Sequence, residues 1–170
     1  MLKYTIFFIL ILFSINKPND IKNINQIKTR NKENIIQKDI PIGKIKIERL
    51  KLENNLFDYN SSLNTIEQNV AILEGSIEPE KDNSIMFLAA HSGTGSIAFF
   101  QHLDQLKKGD LIQLQYKNKY YTYYVKNYWE QKKTGEIDVP KESYKQLVLT
   151  TCSPTHNDKQ LIINCILKES

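Results

Sequence analysis

Residues 146–152 read QLVLTTC and are followed at once by Ser153 and Pro154. The apolar and β-branched residues of this stretch predict a buried β-strand. Proline cannot donate a backbone hydrogen bond to a neighbouring strand, so the strand should end at Cys152. The Cys152 thiol would then stand at the end of a strand, where a substrate can reach it.

A second stretch, residues 84–90 (SIMFLAA), is an almost continuous apolar run, which is typical of a buried central strand. His91 follows it directly and precedes the flexible turn 92–95 (SGTG). Two buried strands that each end in a reactive side chain are a rigid way to position a cysteine–histidine pair. Taken alone the pair is a weak signal, because a free cysteine is more often an inert core residue.

The rest of the chain is also rich in strand patterns. Apolar or alternating segments at 42–47, 70–73, 110–116, 120–125 and 161–167 predict further strands. One helix is predicted over residues 96–106, where Phe99, Phe100, Leu103 and Leu106 fall at helical spacing. Many short strands with a single helix are typical of a closed or nearly closed β-barrel.

The N-terminal part has a different composition. Tyr4–Ile15 is uncharged and almost wholly apolar, shorter than the roughly 20 residues that span a bilayer comfortably, and no small-x-small cleavage site follows. We interpret residues 1–16 as an uncleaved signal anchor, which predicts a single-pass membrane protein with an extracytoplasmic domain. A buried core helix is the alternative, disfavoured because the polar residues 17–40 would isolate it. Those residues have no stable period and are predicted to be a tether to a domain over 41–170.

The charge distribution argues against a nucleic-acid partner. The net charge is +4, and it arises in residues 1–40, with seven basic and three acidic side chains, whereas residues 41–170 hold 16 of each. A nucleic-acid-binding domain concentrates positive charge on its folded part. A basic tail beside a membrane suits anionic lipid or anionic wall polymer instead.

Two local segments resemble those of a known family. Residues 87–93 (FLAAHSG) resemble the histidine segment of the sortases, and residues 147–152 (LVLTTC) resemble their Thr-Leu-x-Thr-Cys signature. The helical segment 99–106 with the following KKGD, and the first strand at 42–47, match the family's order. The resemblance covers residues 41–170.

This resemblance implies an eight-stranded sortase-type β-barrel with one or two short helices. The implied enzyme cleaves a sorting signal of the Leu-Pro-x-Thr-Gly type on secreted proteins, with Cys152 forming a thioester. An amine on a peptidoglycan precursor or a pilin would resolve the thioester, and His91 would move the protons. Residues 132–144 occupy the place of the family loop that shapes the sorting-signal pocket. No cofactor or metal is predicted. Some sortases bind calcium, and the acidic residues Glu74, Glu78, Glu80 and Asp82 are the candidates for such a site here, but most clusters of this kind are simply solvated.

The sequence departs from the family at one catalytic position. Sortases carry an arginine at the start of the last strand, and Gln160 stands there in this chain. Glutamine can donate a hydrogen bond to an oxyanion but has no charge, and charge-assisted bonds are roughly twice as strong. Lys159 should point to the opposite face of the strand. Two alternatives therefore stay open: a sortase-like binding protein with impaired turnover, and an unrelated secreted β-barrel with a structural cysteine and histidine.

Strand alternation also separates the two cysteines. If Gln160 faces the active site, Cys165 faces the other side of the same strand and belongs to the core. A Cys152–Cys165 disulfide would require a slip in strand register. Of the remaining histidines, His102 is predicted on the helix surface and His156 in a solvated loop.

Overall fold

The computed structural model describes residues 39–168, so the predicted anchor and residues 17–38 of the tether lie outside the described part. The elements are eight strands and two short 3₁₀ helices, the latter at Glu48–Leu50 and Leu103–Gln105. The strands are β1 Gly43–Ile47, β2 Leu52–Leu56, β3 Ala71–Ile72, β4 Ile85–Ala89, β5 Leu111–Tyr116, β6 Lys119–Lys132, β7 Gln146–Cys152 and β8 Lys159–Leu167. Within residues 39–168 no helix is long and apolar enough to cross a membrane.

All eight strands belong to one sheet in the order β2-β1-β5-β6-β8-β7-β4-β3. Neighbouring strands are antiparallel except β4 and β7, which run parallel. The sheet curls around one apolar core to which β1, β4, β5, β7 and β8 all contribute fully buried side chains. The predicted mainly-β architecture, a nearly closed eight-stranded barrel, is therefore confirmed.

Strand β1 shows why the sequence favours this close packing. Gly43, Ile45 and Ile47 point inward and are buried, as the alternation predicts. Gly43 lies opposite Tyr116 of β5. A Cβ atom at Gly43 would overlap the backbone carbonyl oxygen of Gln115, so only glycine lets the two strands approach this closely.

We expect Gly43→Ala to lower the free energy of unfolding by about 1–3 kcal/mol, because the neighbouring atom is backbone and cannot move aside. Urea denaturation of the purified domain measures this change. Gly93→Ala is the matched control, since a Cβ there meets no atom within 4 Å. Equal stability of the two variants would show that the strands separate at little cost.

The predicted helix over 96–106 is wrong in type, although Phe100, Leu103 and Leu106 of its apolar residues are buried. Turns and the 3₁₀ helix Leu103–Gln105 occupy the segment, and Phe100 and Leu103 are fully buried. The Phe100 amide donates to the His91 carbonyl at 2.9 Å instead of to a carbonyl one turn earlier. This long-range bond replaces the one that would have continued an α-helix.

Two strands differ from the prediction in ways that matter for the site. Strand β2, sequence LENNL, was not predicted, because asparagine is uncommon in strands. Strand β6 continues to Lys132 rather than ending near Val125, with a shift in register between Val125 and Asn127. Its extra residues pair with the start of β8 and reach the edge of the sheet where Cys152 lies.

Candidate active site

Cys152 is the last residue of β7, and its side chain is exposed. The backbone amide of Ser153 donates to the Lys159 carbonyl at 3.0 Å, which closes the pairing with β8 before the chain turns at Pro154. Side chains alternate along a strand, so Cys152 shares a face with Val148, whereas Leu147 and Leu149 point into the barrel core. The thiol therefore lies at the rim, outside the barrel core.

His91 reaches the same rim because β4 and β7 are parallel. Ala89 is in register with Thr150, and the Thr151 hydroxyl donates to the Ala90 carbonyl at 2.7 Å. His91 and Cys152 each follow the Ala89–Thr150 pair by two residues, at the same end of the two parallel strands. The carbonyl of His91 is held by the Phe100 amide, so the backbone that carries the imidazole is fixed on both sides.

Gln160 lies directly across from Cys152 in the β7–β8 pairing, on the same face of the sheet. Its Nε2 donates to the backbone carbonyl of Glu136 at 3.2 Å. Gln131, the next residue in the same cross-strand row, donates to that carbonyl at 2.6 Å and accepts a bond from the Asp138 amide at 3.1 Å. The Gln160 amide group carries two hydrogens, of which one is used to hold the loop between β6 and β7.

That loop covers an apolar surface on the same outer face as Cys152. Ile137 and Val139 are buried against a cluster formed with the outward-facing residues of three strands. The residues contributed by the strands are Ile85, Phe87, Val148 and Ile162. The loop that the resemblance links to a substrate pocket thus packs on the face of the sheet that Cys152 shares with Val148.

The two cysteines differ in the way that strand alternation predicts. Cys165 is fully buried in the barrel core, and both thiols are free. Burial raises the pKa of the Cys165 thiol far above its usual range, because the low dielectric disfavours the thiolate. Cys165 is therefore inert, and Cys152 is the thiol available for chemistry.

Glu67 is a residue near the site that the sequence analysis missed. The Thr65 hydroxyl donates to its carboxylate and is the main cause of its lowered pKa; its own backbone amide and, to a smaller extent, the electrostatic influence of His91 lower the pKa further. The Glu67 carboxylate is thus within electrostatic range of the imidazole. It lies in the irregular segment between β2 and β3, and no periodicity or motif in the sequence singles it out.

The other predicted surface histidines are found as expected. His102 is exposed, and its ring nitrogen contacts Gln105 at 3.2 Å. His156 is half-exposed in the β7–β8 loop, where Nδ1 lies 3.0 Å from the Glu130 carboxylate. Lys159 points to that same carboxylate, at 3.8 Å, and hence away from the face of Gln160.

The acidic residues considered for calcium do not gather into a site. Glu78 is paired with Lys117 at 2.5 Å and accepts a bond from Tyr116, and Glu80 lies 3.3 Å from Lys119. In the part of the chain that the structure describes, no three His, Cys, Asp or Glu side chains are arranged to hold a metal ion.

Comparisons with known proteins give a consistent result. The family model described as "Sortase domain" matches residues 45–168. Sortase C of Streptococcus pneumoniae superposes with a TM-score of 0.67 at 22% identity, over 76% of this chain and 67% of that one. Sortase A from Corynebacterium diphtheriae gives 0.65 at 20% identity, over 77% and 62%. Sortase C1 from Streptococcus agalactiae gives 0.66 at 23% identity, over 89% and 93%.

The chain thus spans just under two thirds of the C. diphtheriae chain and about two thirds of the S. pneumoniae one. At these identities the similarity to the solved structures concerns the fold. A search of curated proteins found no match.

Proposed function

The chain belongs to the sortase family, whose members are cysteine transpeptidases, and on this premise we propose that it cleaves a sorting signal of the Leu-Pro-x-Thr-Gly type through a thioester on Cys152. The observation that supports the proposal is the parallel pairing of β4 with β7, in which Ala89 is in register with Thr150, two residues before His91 and Cys152 respectively. Cys152 gives up its thiol proton to His91, and its sulfur attacks the carbonyl carbon of the threonine. The C–N bond to the glycine then breaks, and the leaving amine takes the proton from His91.

The second half of the reaction restores the free thiol. An amine on a peptidoglycan precursor or a pilin attacks the thioester, losing a proton to His91 as the Cys152 sulfur leaves. A pilin as the acceptor rests on analogy alone. The structure of the similar sortase C from S. pneumoniae is reported to give insight into pilin substrate specificity. The apolar segment Tyr4–Ile15 supports a location at the cell membrane. Because the proposed substrates are secreted proteins, this chemistry would take place on the outer side.

Intact-mass analysis of the protein, incubated with a library of Leu-Pro-x-Thr-Gly-like peptides and no acceptor amine, tests the proposal. We expect the mass of the acyl fragment to be added to the protein, and the peptides that react to define the preferred signal. Peptide binding without any adduct would contradict turnover and favour the second candidate, a sortase-like binding protein. The specific observation behind that candidate is that the Gln160 amide already donates to the Glu136 carbonyl.

Gln160 is the proposed donor to the oxyanion of the tetrahedral intermediate, through its second N–H. We expect Gln160→Ala to slow thioester formation by about 10²–10³-fold, as for loss of one oxyanion donor. Gln160→Arg should preserve or raise the rate, because it restores a charged donor. Intact-mass analysis of samples quenched at successive times, at a saturating peptide concentration, measures the rate of thioester formation for both variants.

Gln131→Ala is the matched control for Gln160, because Gln131 donates to the same Glu136 carbonyl but is one strand further from Cys152. It should loosen the β6–β7 loop and raise the peptide KM without a comparable loss of rate at saturation. Equal losses of rate for Gln131→Ala and Gln160→Ala would mean that Gln160 only holds the loop.

A further inference from the structure

The loop between β7 and β8 begins at Ser153, directly after the nucleophile, and Ser153 is buried although it is polar. By alternation its side chain lies on the face of the sheet opposite Cys152. Its hydroxyl donates to Glu130 Oε1 at 2.5 Å and accepts from the amides of Thr155 and His156, at 3.1 and 2.9 Å. One hydroxyl thus ties the first turn of the loop to β6.

The Glu130 carboxylate also contacts other polar groups of this turn. It accepts a bond from the Thr155 hydroxyl at 3.1 Å and lies 3.0 Å from His156 Nδ1. Lys159 Nζ, at the start of β8, is 3.8 Å away. The Ser153 hydroxyl is the main cause of the lowered pKa of the Glu130 carboxyl, followed by Thr155 and His156, so the carboxylate stays ionised and keeps these contacts at neutral pH.

The other end of the loop is held separately. Lys133 donates through its backbone amide to the Asp158 carbonyl and through Nζ to the Asn157 carbonyl, both at 2.9 Å. The end that adjoins Cys152 is held by the bond from the Ser153 amide to the Lys159 carbonyl and by the side-chain contacts of Ser153 with Glu130 and the following turn. A thiol at a strand end is directed by the backbone that follows it, and small misplacements of reacting atoms cost large factors in rate.

We propose that Glu130 is a positioning residue for the transpeptidation, which acts through Ser153 to hold the loop 153–158 and so to direct the Cys152 thiol toward His91. The role as positioning residue rests on the proposed function, because it supposes that Cys152 is acylated. Glu130 does not touch the thiol and does not itself transfer a proton.

Three variants of the full chain separate the contributions. Glu130→Ala removes all of these contacts, and Glu130→Gln keeps an acceptor for Ser153 but loses the charge that attracts His156 and Lys159. Ser153→Ala removes the hydroxyl at no change in charge. Glu53→Gln is the matched control, since it removes the same charge from an ion pair with Lys44 on the far strands β1 and β2.

Two measurements are made on each variant: amide hydrogen exchange of residues 153–158, and thioester formation with peptide as a function of peptide concentration. In Glu130→Ala and Ser153→Ala we expect exchange of the loop to accelerate at least tenfold while β4 and β5 are unchanged. In the same two variants the acylation rate at saturating peptide should fall about tenfold, with KM unchanged. Glu130→Gln should have an intermediate exchange rate and an intermediate acylation rate. Glu53→Gln should match wild type in both measurements.

Unchanged loop exchange in Glu130→Ala would overturn the proposal, and so would faster exchange with an undiminished rate of acylation at saturation. If no peptide acylates the wild type, the proposed function fails on its own, and alkylation of Cys152 by iodoacetamide replaces the second measurement. The rate of alkylation should then fall at least threefold in Ser153→Ala, and an unchanged rate would overturn the role of the loop in directing the thiol.

Discussion

Cys152→Ala is expected to abolish the covalent adduct with sorting-signal peptides, while peptide binding is retained. The reason is chemical: the thioester needs the sulfur at the exposed end of β7, and alanine offers no nucleophile. Intact mass after incubation with peptide measures the adduct, and fluorescence anisotropy of a labelled peptide measures binding. An adduct of the same mass on Cys152→Ala would place the nucleophile elsewhere.

Cys165 supplies the control for this experiment. Its thiol is fully buried, and burial raises its pKa, so iodoacetamide should modify one cysteine in the folded protein and both after unfolding in guanidinium. Cys165→Ser should still form the adduct, although its stability should decrease because a polar hydroxyl replaces a core thiol. Loss of the adduct in Cys165→Ser at a temperature where the protein remains folded would contradict the assignment of Cys152.

His91→Ala is expected to slow thioester formation by about 10²–10⁴-fold, the usual contribution of a positioned acid–base group. His91 and Cys152 each follow the in-register pair Ala89–Thr150 by two residues, and in the proposed reaction the imidazole has to protonate the leaving amine. Single-turnover acylation at saturating peptide measures the effect. The loss should appear in the rate at saturation rather than in KM, since His91 acts on the reacting atoms.

The two remaining histidines are the controls for His91→Ala. His102 is exposed and contacts Gln105, so His102→Ala should retain the rate of wild type. His156→Ala removes one of the contacts that Glu130 makes and should have a small effect. If His102→Ala were as slow as His91→Ala, the histidine beside Cys152 would have no special role in proton transfer.

Much of the fold could be predicted because the strands of this barrel are locally encoded. The run at 84–90 and QLVLTTC at 146–152 have the apolar content of buried strands, and β7 ends where Pro154 makes further pairing unfavourable. The segment 96–106 was misjudged as a helix because Phe100 and Leu103 have helical spacing. A bond from the Phe100 amide to His91 decides its conformation, and spacing contains no information on such a bond.

The residues of the candidate site also differ in whether the sequence alone could identify them. Cys152 and His91 could be found because each ends an apolar strand within a segment that resembles those of the sortases. Glu130 could not be found: in the sequence it is one charged residue among the polar residues of a long strand. Its contacts with Ser153 and His156 join positions more than 20 residues apart. Gln160 stands at the start of the last strand, opposite Cys152, and its bond to the Glu136 carbonyl became visible only in the folded chain.

The sequence by itself determined most of the strands other than β2 and the second half of β6, the alternation of side chains between their two faces, and that Cys165 is a core residue. These properties follow from the two-residue period of a strand and from the cost of burying polar groups, both of which act locally. Only the tertiary structure decided that β4 and β7 pair in parallel and that Glu130 and Gln131 of β6 reach the rim beside Cys152. Strand pairing and the length of β6 depend on contacts between distant segments, which packing around a common core selects.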